Sequence, residues 1–360
     1  MIILFLSRLS DNTNCGPYYS VPRQVAAQRK YDDVLWINAN KNTFDDWIEI
    51  GDVKTEWDFP KLRLNELPTP FKHPDIVIVE EQYNFVRMPL IFDIQNAKIP
   101  YIIVPRCSLT ASALKKKRLK KRIGNMVYFN RFIKNAAGIQ YLTDREKEES
   151  GDHWNKNGFV IPNGITVPDI NKTYHSDRIE MTFIGRIDVY HKGLDLLLEV
   201  CHKLSESLKT SKVHISLYGS GKKKDVEAVK SMINRCSGIV DYMGPVQGYE
   251  KHLVLMETDV FLLTSRFEGM PMGVLEALSY RIPIMITNGT NMAPVVEEYD
   301  CGWCDDVSEE GISKLFQRVM EERDLIAEKG EKGINAAYSY DWNTIAQKTH
   351  QVLESIVEKG

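Results

Sequence analysis

The stretch Thr264-Ser265-Arg266-Phe267-Glu268-Gly269-Met270-Pro271-Met272-Gly273-Val274-Leu275-Glu276-Ala277-Leu278 follows directly on the apolar run Val260–Leu263. It reads as a strand, a loop and then a helix, with Pro271 suited to a first helical turn. Free N–H groups at such a helix start, aided by the helix dipole, can hold an anion. Glu268 stands in the loop, and Glu276 lies about one turn or more into the helix. Two carboxylates so placed can accept hydrogen bonds from several hydroxyls at once. A sugar nucleotide presents that combination: a diphosphate for the helix start, and diols on ribose and hexose for the carboxylates. A plain capping loop with one solvated glutamate has the same spacing, so the neighbouring loops must decide between the two.

Working outward, Phe183-Ile184-Gly185-Arg186-Ile187-Asp188 ends another strand, and His191-Lys192-Gly193 opens the helix after it. Arg186 and Lys192 are therefore cations at the carboxyl end of a parallel strand, the edge where open α/β sheets bind ligands. Paired cations suit a departing pyrophosphate. Leu217-Tyr218-Gly219-Ser220-Gly221 and Met243-Gly244-Pro245-Val246 are two further loops placed just past strands. Glycine there lets backbone approach a ligand closely, although Gly-X-Gly alone is a weak signal. All four loops are expected on one edge of one sheet.

The alternation of short apolar runs with helical patterns extends over the whole chain. In the first half the runs are Ile2–Leu6, Val34–Ile37, Ile76–Val79, Tyr101–Val104 and Ile139–Leu142. In the second they are Met181–Ile184, Val213–Tyr218, Ile239–Tyr242, Val260–Leu263 and Ile282–Ile286. Strands apolar on both faces fit parallel sheets covered by helices on both sides. Between the halves, Ile161-Pro162-Asn163-Gly164-Ile165-Thr166-Val167-Pro168 has the turn chemistry of a linker. At 360 residues the chain is long enough for two domains with separate cores. The expected division is residues 1–163 with a terminal helix at 342–360, and residues 164–341. That helix is read from Trp342, Ile345, Ala346, Val352 and Ile356, with Asp341 as its N-cap.

In this order, the residues of the second half resemble the retaining GT-B glycosyltransferases of glycosyltransferase family 4. The resemblance is most specific from Glu268 to Glu276, which looks like that family's E-x7-E motif, and it continues through Ser339-Tyr340-Asp341-Trp342. It implies an α/β fold of two Rossmann-like domains facing across a cleft, the last helix crossing back to the first domain. It also implies donor binding on the second domain and acceptor binding on the first. By this likeness Glu276 binds the ribose hydroxyls and Glu268 holds the donor sugar. Backbone of Gly269, Met270, Met272 and Gly273 meets sugar and phosphate, and Arg186 and Lys192 are the donor-phosphate cations. Gly219, Ser220, Pro245 and Val246 belong to loops that flank the nucleobase. The activity implied is transfer of a hexosyl unit from a nucleoside diphosphate sugar, uridine diphosphate in preference to guanosine diphosphate. The acceptor implied is a glycan or lipid-linked saccharide of polysaccharide biosynthesis, with retention at the anomeric carbon. The other readings are a GT-B-fold sugar-nucleotide epimerase and a non-enzymatic sugar-binding protein.

The first half departs from the pattern. After the first strand the family often has two glycines, whereas Asn14-Cys15-Gly16-Pro17 has only Gly16. Where many relatives place His-Gly, this chain has Pro105-Arg106-Cys107-Ser108, which puts Arg106 forward for the sugar or acceptor side. No Asp-X-Asp triplet occurs, so the expected chemistry relies on fixed cations and a helix start, with no cofactor and no required metal.

The net charge of −3 exerts no global pull toward nucleic acid. The basic run Lys115–Arg122, KKKRLKKR, has no interleaved aromatics. It is therefore read as a possible contact with an anionic membrane surface, weighed against a solvated helix face. Six scattered cysteines and an N-terminal apolar run too short for a signal segment lead to an expected cytoplasmic location, peripheral on the inner membrane face if the basic run binds there. Cys301-Gly302-Trp303-Cys304 has dithiol spacing, but no second such pair or histidine completes a zinc set.

Overall fold

The computed structural model describes residues 1–10, 16–41, 43–85, 88–110, 113–114 and 124–359. It forms two compact units: Met1–Gly164 together with Trp342–Gly360, and Ile165–Asp341.

The first unit is built on a seven-stranded parallel sheet of order β3-β2-β1-β4-β5-β6-β7. Its strands are β1 (Ile2–Ser7), β2 (Asp33–Asn38), β3 (Lys54–Thr55), β4 (Ile76–Glu80), β5 (Tyr101–Val104), β6 (Gly138–Tyr141) and β7 (Gly158–Val160). The alternation of strand side chains divides the core in two. Leu4, Leu6, Val77, Val79 and Ile103 face one layer. Ile3, Phe5, Ile76, Ile78 and Ile102 face the other. Both layers are covered, so β1 reads as an unbroken apolar run. The helix Trp342–Val357 packs on the helix Gly16–Gln28, burying Trp342 and Ala346 against Ala27. Its Leu353 enters the second layer.

The second unit carries a six-stranded parallel sheet of order β10-β9-β8-β11-β12-β13. The strands are β8 (Ile179–Ile184), β9 (Val213–Tyr218), β10 (Val240–Gly244), β11 (Val260–Leu263), β12 (Ile284–Thr287) and β13 (Gly302–Asp305). Strand order reverses between β8 and β11, which makes their carboxyl ends the switch point where such sheets bind ligands. Phe261 of β11 pairs with Thr182 of β8. The loops that follow these two strands therefore leave the sheet side by side.

Short β3, β7 and β13 extend the sheets beyond the apolar runs read from the sequence. The Cys301–Cys304 segment is an edge strand rather than the start of a helix. Burial pushes the Cys301 thiol up to about 12 and Cys304 up to about 11, which leaves both protonated and disfavours a redox dithiol. Among the described residues no helix is long and apolar enough to cross a membrane.

Candidate functional site

The helix Met272–Ser279 begins against the end of β8. A Cβ on Gly273 would stand 3.0 Å from the Phe261 ring and 3.3 Å from the Ile184 carbonyl. Pro271 is the N-cap residue, one position before the first turn in which the sequence places it. Its carbonyl accepts from the Val274 amide at 3.0 Å. The Met272 and Gly273 amides precede these first intrahelical bonds, as the first amides of any helix do. Met270 and Met272 rest their side chains on the core, so what they can offer a ligand is backbone.

Glu268 is the centre of the loop before this helix. Its Oε1 accepts from the Lys192 ammonium at 2.5 Å and from the Ser265 hydroxyl at 2.6 Å. The ion pair is largely buried, with side chains 13% and 10% exposed. Lys192, expected as a donor-phosphate cation, is paired here with Glu268, and the two form one buried polar unit. The loop is pinned from behind: the Glu268 amide donates to the Gly289 carbonyl at 2.9 Å, and the Asn291 side-chain amide donates to the Glu268 carbonyl at 2.5 Å.

The loop after β8 is tied to the same place. Arg186 is half-exposed and donates to His191 Nδ1 at 2.9 Å. His191 Nε2 meets the Phe267 carbonyl at 2.7 Å, and its ring stacks on Phe267 with centroids 4.2 Å apart. Since an arginine can only donate and a carbonyl only accept, these bonds fix His191 as the neutral tautomer protonated on Nε2. Burial, the leading cause, also lowers its proton affinity from the ordinary histidine value. Asp195 forks Arg266 at 2.7 and 2.8 Å, joining the helix after Gly193 to the Glu268 loop. Gly193 has φ +62°, and a Cβ there would fall 2.1 Å from the Thr264 carbonyl. That contact explains why the Lys192 turn can lie flat on the β11 loop.

Glu276, one face further along the helix, pairs with Lys251 at 2.6 Å, both partners being about a quarter to a third exposed. Lys251, His191, Ser265 and Asn291 are the residues that sequence reading did not assign. His191 adjoins Lys192, and Ser265 lies three residues before Glu268, so both were within reach of a motif argument. Lys251 and Asn291 come from distant segments and left no local signal.

The loops after β9 and β10 lie at the same sheet edge. Gly219 has φ +151°, and a Cβ there would come 1.7 Å from the Gly185 carbonyl. The Gly219 amide donates to the Gly244 carbonyl and its carbonyl accepts from the Tyr242 hydroxyl, each at 2.8 Å. Ser220 and Val246 are half-buried and Pro245 is exposed.

In the first unit Arg106 requires a correction. It is not a free cation for sugar or acceptor: its side chain is 6% exposed and forks onto Glu80, 1% exposed, at 2.5 and 3.0 Å. Its third nitrogen, Nη1, donates to Asn163 Oδ1 at 3.0 Å. Arg106 and Cys107 both have positive φ, +47° and +64°, which turns the chain inward at the end of β5. Sequence position placed Arg106 correctly at a strand end but could not show that a buried carboxylate at the end of β4 claims it. Gly16 opens its helix with nothing near its Cβ direction. The Lys115–Arg122 run lies outside the described residues. Among those described, no group of three or more His, Cys, Asp or Glu side chains could hold a metal ion.

Two parallel-sheet units of Rossmann type with this loop set define the GT-B glycosyltransferase fold. Solved structures agree. Anabaena HepE in complex with UDP and glucose superposes with TM-score 0.73 at 15% identity, covering 99% of this chain and all of HepE. WaaG, a glycosyltransferase involved in lipopolysaccharide biosynthesis, gives 0.65 at 15% identity, covering 98% and 99%. Within the second unit, residues 178–321 match the model of the glycosyl transferases group 1 family. A curated relative is the N,N'-diacetylbacillosaminyl-diphospho-undecaprenol alpha-1,3-N-acetylgalactosaminyltransferase of Campylobacter jejuni, 24% identical over 171 residues. That match takes in 47% of this chain and 43% of the relative, so the chain spans less than half of the enzyme it matches.

Proposed function

We propose that this chain transfers a hexosyl unit from a uridine diphosphate sugar to a glycan or lipid-linked saccharide, with retention at the anomeric carbon. The observation that carries the reading is the buried Lys192–Glu268 pair at the β8/β11 switch point, with Glu276 on the adjoining helix. HepE, which shares the fold, binds UDP and glucose, and this supports the choice of donor. The Campylobacter relative's diphospho-undecaprenol substrate supports a lipid-linked acceptor.

In this mechanism Arg186, with the Met272 and Gly273 amides, receives the charge that grows on the departing diphosphate. Glu268 holds a donor hydroxyl while its ion pair with Lys192 keeps the carboxylate turned inward. Glu276 accepts from the ribose diol, for which Lys251 must yield or share its carboxylate oxygen. The leaving phosphate takes the acceptor proton on the face of attack. The first unit binds the acceptor, and Lys115–Arg122 meets an anionic membrane surface from the cytoplasmic side. Charge neutralisation comes from fixed groups, so no metal is required. The test is turnover of a panel of nucleoside diphosphate sugars with lipid-linked acceptors, with and without chelator, and product stereochemistry by nuclear magnetic resonance. An inverted product, or activity lost in chelator and restored by magnesium or manganese, would overturn the corresponding part of the proposal. Nucleotide release that needs no acceptor and returns an epimerised sugar would favour the epimerase reading.

A further inference from the structure

We infer that His191 is a positioning residue that holds the Arg186 guanidinium for the donor diphosphate only while the imidazole is neutral. This rests on the proposed role of Arg186. Four contacts define the site. Arg186 Nη2 donates to Nδ1 at 2.9 Å, and Nε2 donates to the Phe267 carbonyl at 2.7 Å. The ring stacks on Phe267, and the His191 carbonyl accepts from the Arg266 amide at 2.9 Å. The imidazole therefore connects the loop after β8 to the loop after β11, with both nitrogens used.

Arg186 needs such a guide. Its side chain is 55% exposed, and its other close contact is Asp188 at 3.5 Å. A half-exposed arginine tethered through one distant carboxylate samples many rotamers, and ordering it at the moment of donor binding would cost affinity. Protonation at Nδ1 replaces the acceptor with an N–H directed at a guanidinium, so the bond becomes a repulsion between two cations. The charged groups around the ring are Arg186, Asp188 and Lys192 from its own loop and Glu268 from the loop after β11. Burial, the largest cause, opposes protonation together with Lys192 and Arg186, while Glu268 and the Phe267 carbonyl favour it. The neutral form consequently persists to a lower pH than for a free histidine, and Arg186 is released below that point.

The experiment measures UDP affinity by calorimetry from about pH 5 to about pH 8, the range in which histidine titrates, for wild type and three variants. H191N places an amide oxygen where Nδ1 lies and does not titrate. H191F keeps the stack and loses the acceptor. R186A removes the group being positioned. Wild-type affinity should fall on the acid side more steeply than that of H191N, which experiences the same protonation of UDP itself. H191F should bind UDP about tenfold more weakly at neutral pH, the scale of one lost hydrogen bond to a charged group. Rescue of affinity by H191N relative to H191F separates positioning from mere packing. Parallel acid limbs in wild type and H191N, or full affinity in H191F, would overturn the inference while R186A still weakens binding. Unweakened binding by R186A would instead overturn the donor-phosphate reading beneath it.

Discussion

Lys192 and Glu268 neutralise one another inside a nearly closed loop, so neither can be removed without leaving its partner as an isolated buried charge. Exposed Arg186 has no such entanglement, and its removal reports on the reaction. Arg186→Ala should lower turnover by about a hundredfold at saturating donor, the scale of losing one stabiliser of developing charge. Turnover equal to wild type would remove it from catalysis. Glu276→Ala should weaken nucleotide binding at least tenfold or so, since a carboxylate takes both ribose hydroxyls, and it should leave the far-ultraviolet spectrum unchanged. The Lys251 pairing sharpens this expectation. Lys251→Ala frees Glu276 without removing it, so its effect on affinity should be smaller than that of Glu276→Ala. A larger effect would mean that Lys251 contacts the nucleotide directly. The positions of Glu268, Glu276, Arg186 and Lys192 were legible because they are local: a carboxylate in a loop, a carboxylate on the following helix, cations past a strand. Arg106 was misread because its fate depends on Glu80, which is distant in sequence and adjacent only through the pairing of β4 with β5.

At the scale of elements, the ten apolar runs correspond to the ten strands that form most of both sheets. Hydrophobic burial on two faces demands such runs. The strands that no apolar run announced are β3, with two residues, and β7, at a sheet margin where no side chain is fully buried, while β13 was expected as a short strand from the family resemblance alone. Sequence reading also saw glycines at strand ends without seeing why each is glycine. Gly219 is the clearest case, because φ +151° and the Gly185 carbonyl both exclude a side chain. Gly219→Ala should destabilise the second unit by roughly 2 kcal/mol or more. A thermal unfolding scan that left the transition unchanged would show that the loop can re-form around a methyl group. The same substitution should also weaken nucleotide binding, because the loop would have to leave the sheet edge.

At the scale of the whole molecule, the basic run and the last helix bear on different questions. If Lys115–Arg122 meets a membrane, binding to anionic vesicles should fade as salt shortens the Debye length from about 10 Å at 0.1 M to about 3 Å at 1 M. Four lysine-to-glutamine changes in the run should abolish vesicle co-sedimentation and leave UDP affinity unaltered. Equal sedimentation of both proteins would make the run a solvated face.

The last helix belongs to the first unit, although the entire second unit precedes it in the chain. Ile165 and Asp341, the residues at which the second unit begins and ends, are paired as a parallel bridge, and the Ile165 amide donates to the Tyr340 carbonyl at 2.7 Å. The second unit is therefore closed on itself before the chain returns. A ribosome makes these parts in the opposite order of need: the first sheet is made before the second unit, yet the surface that Trp342, Ile345 and Leu353 cover stays bare until the second unit has been made. A chain halted after Asp341 should show one cooperative, UDP-stabilised transition from the finished unit, beside an unfinished unit that binds hydrophobic dye and is cut first by protease. In the cell that interval is a window for chaperone capture, and its length is set by the time taken to synthesise the second unit.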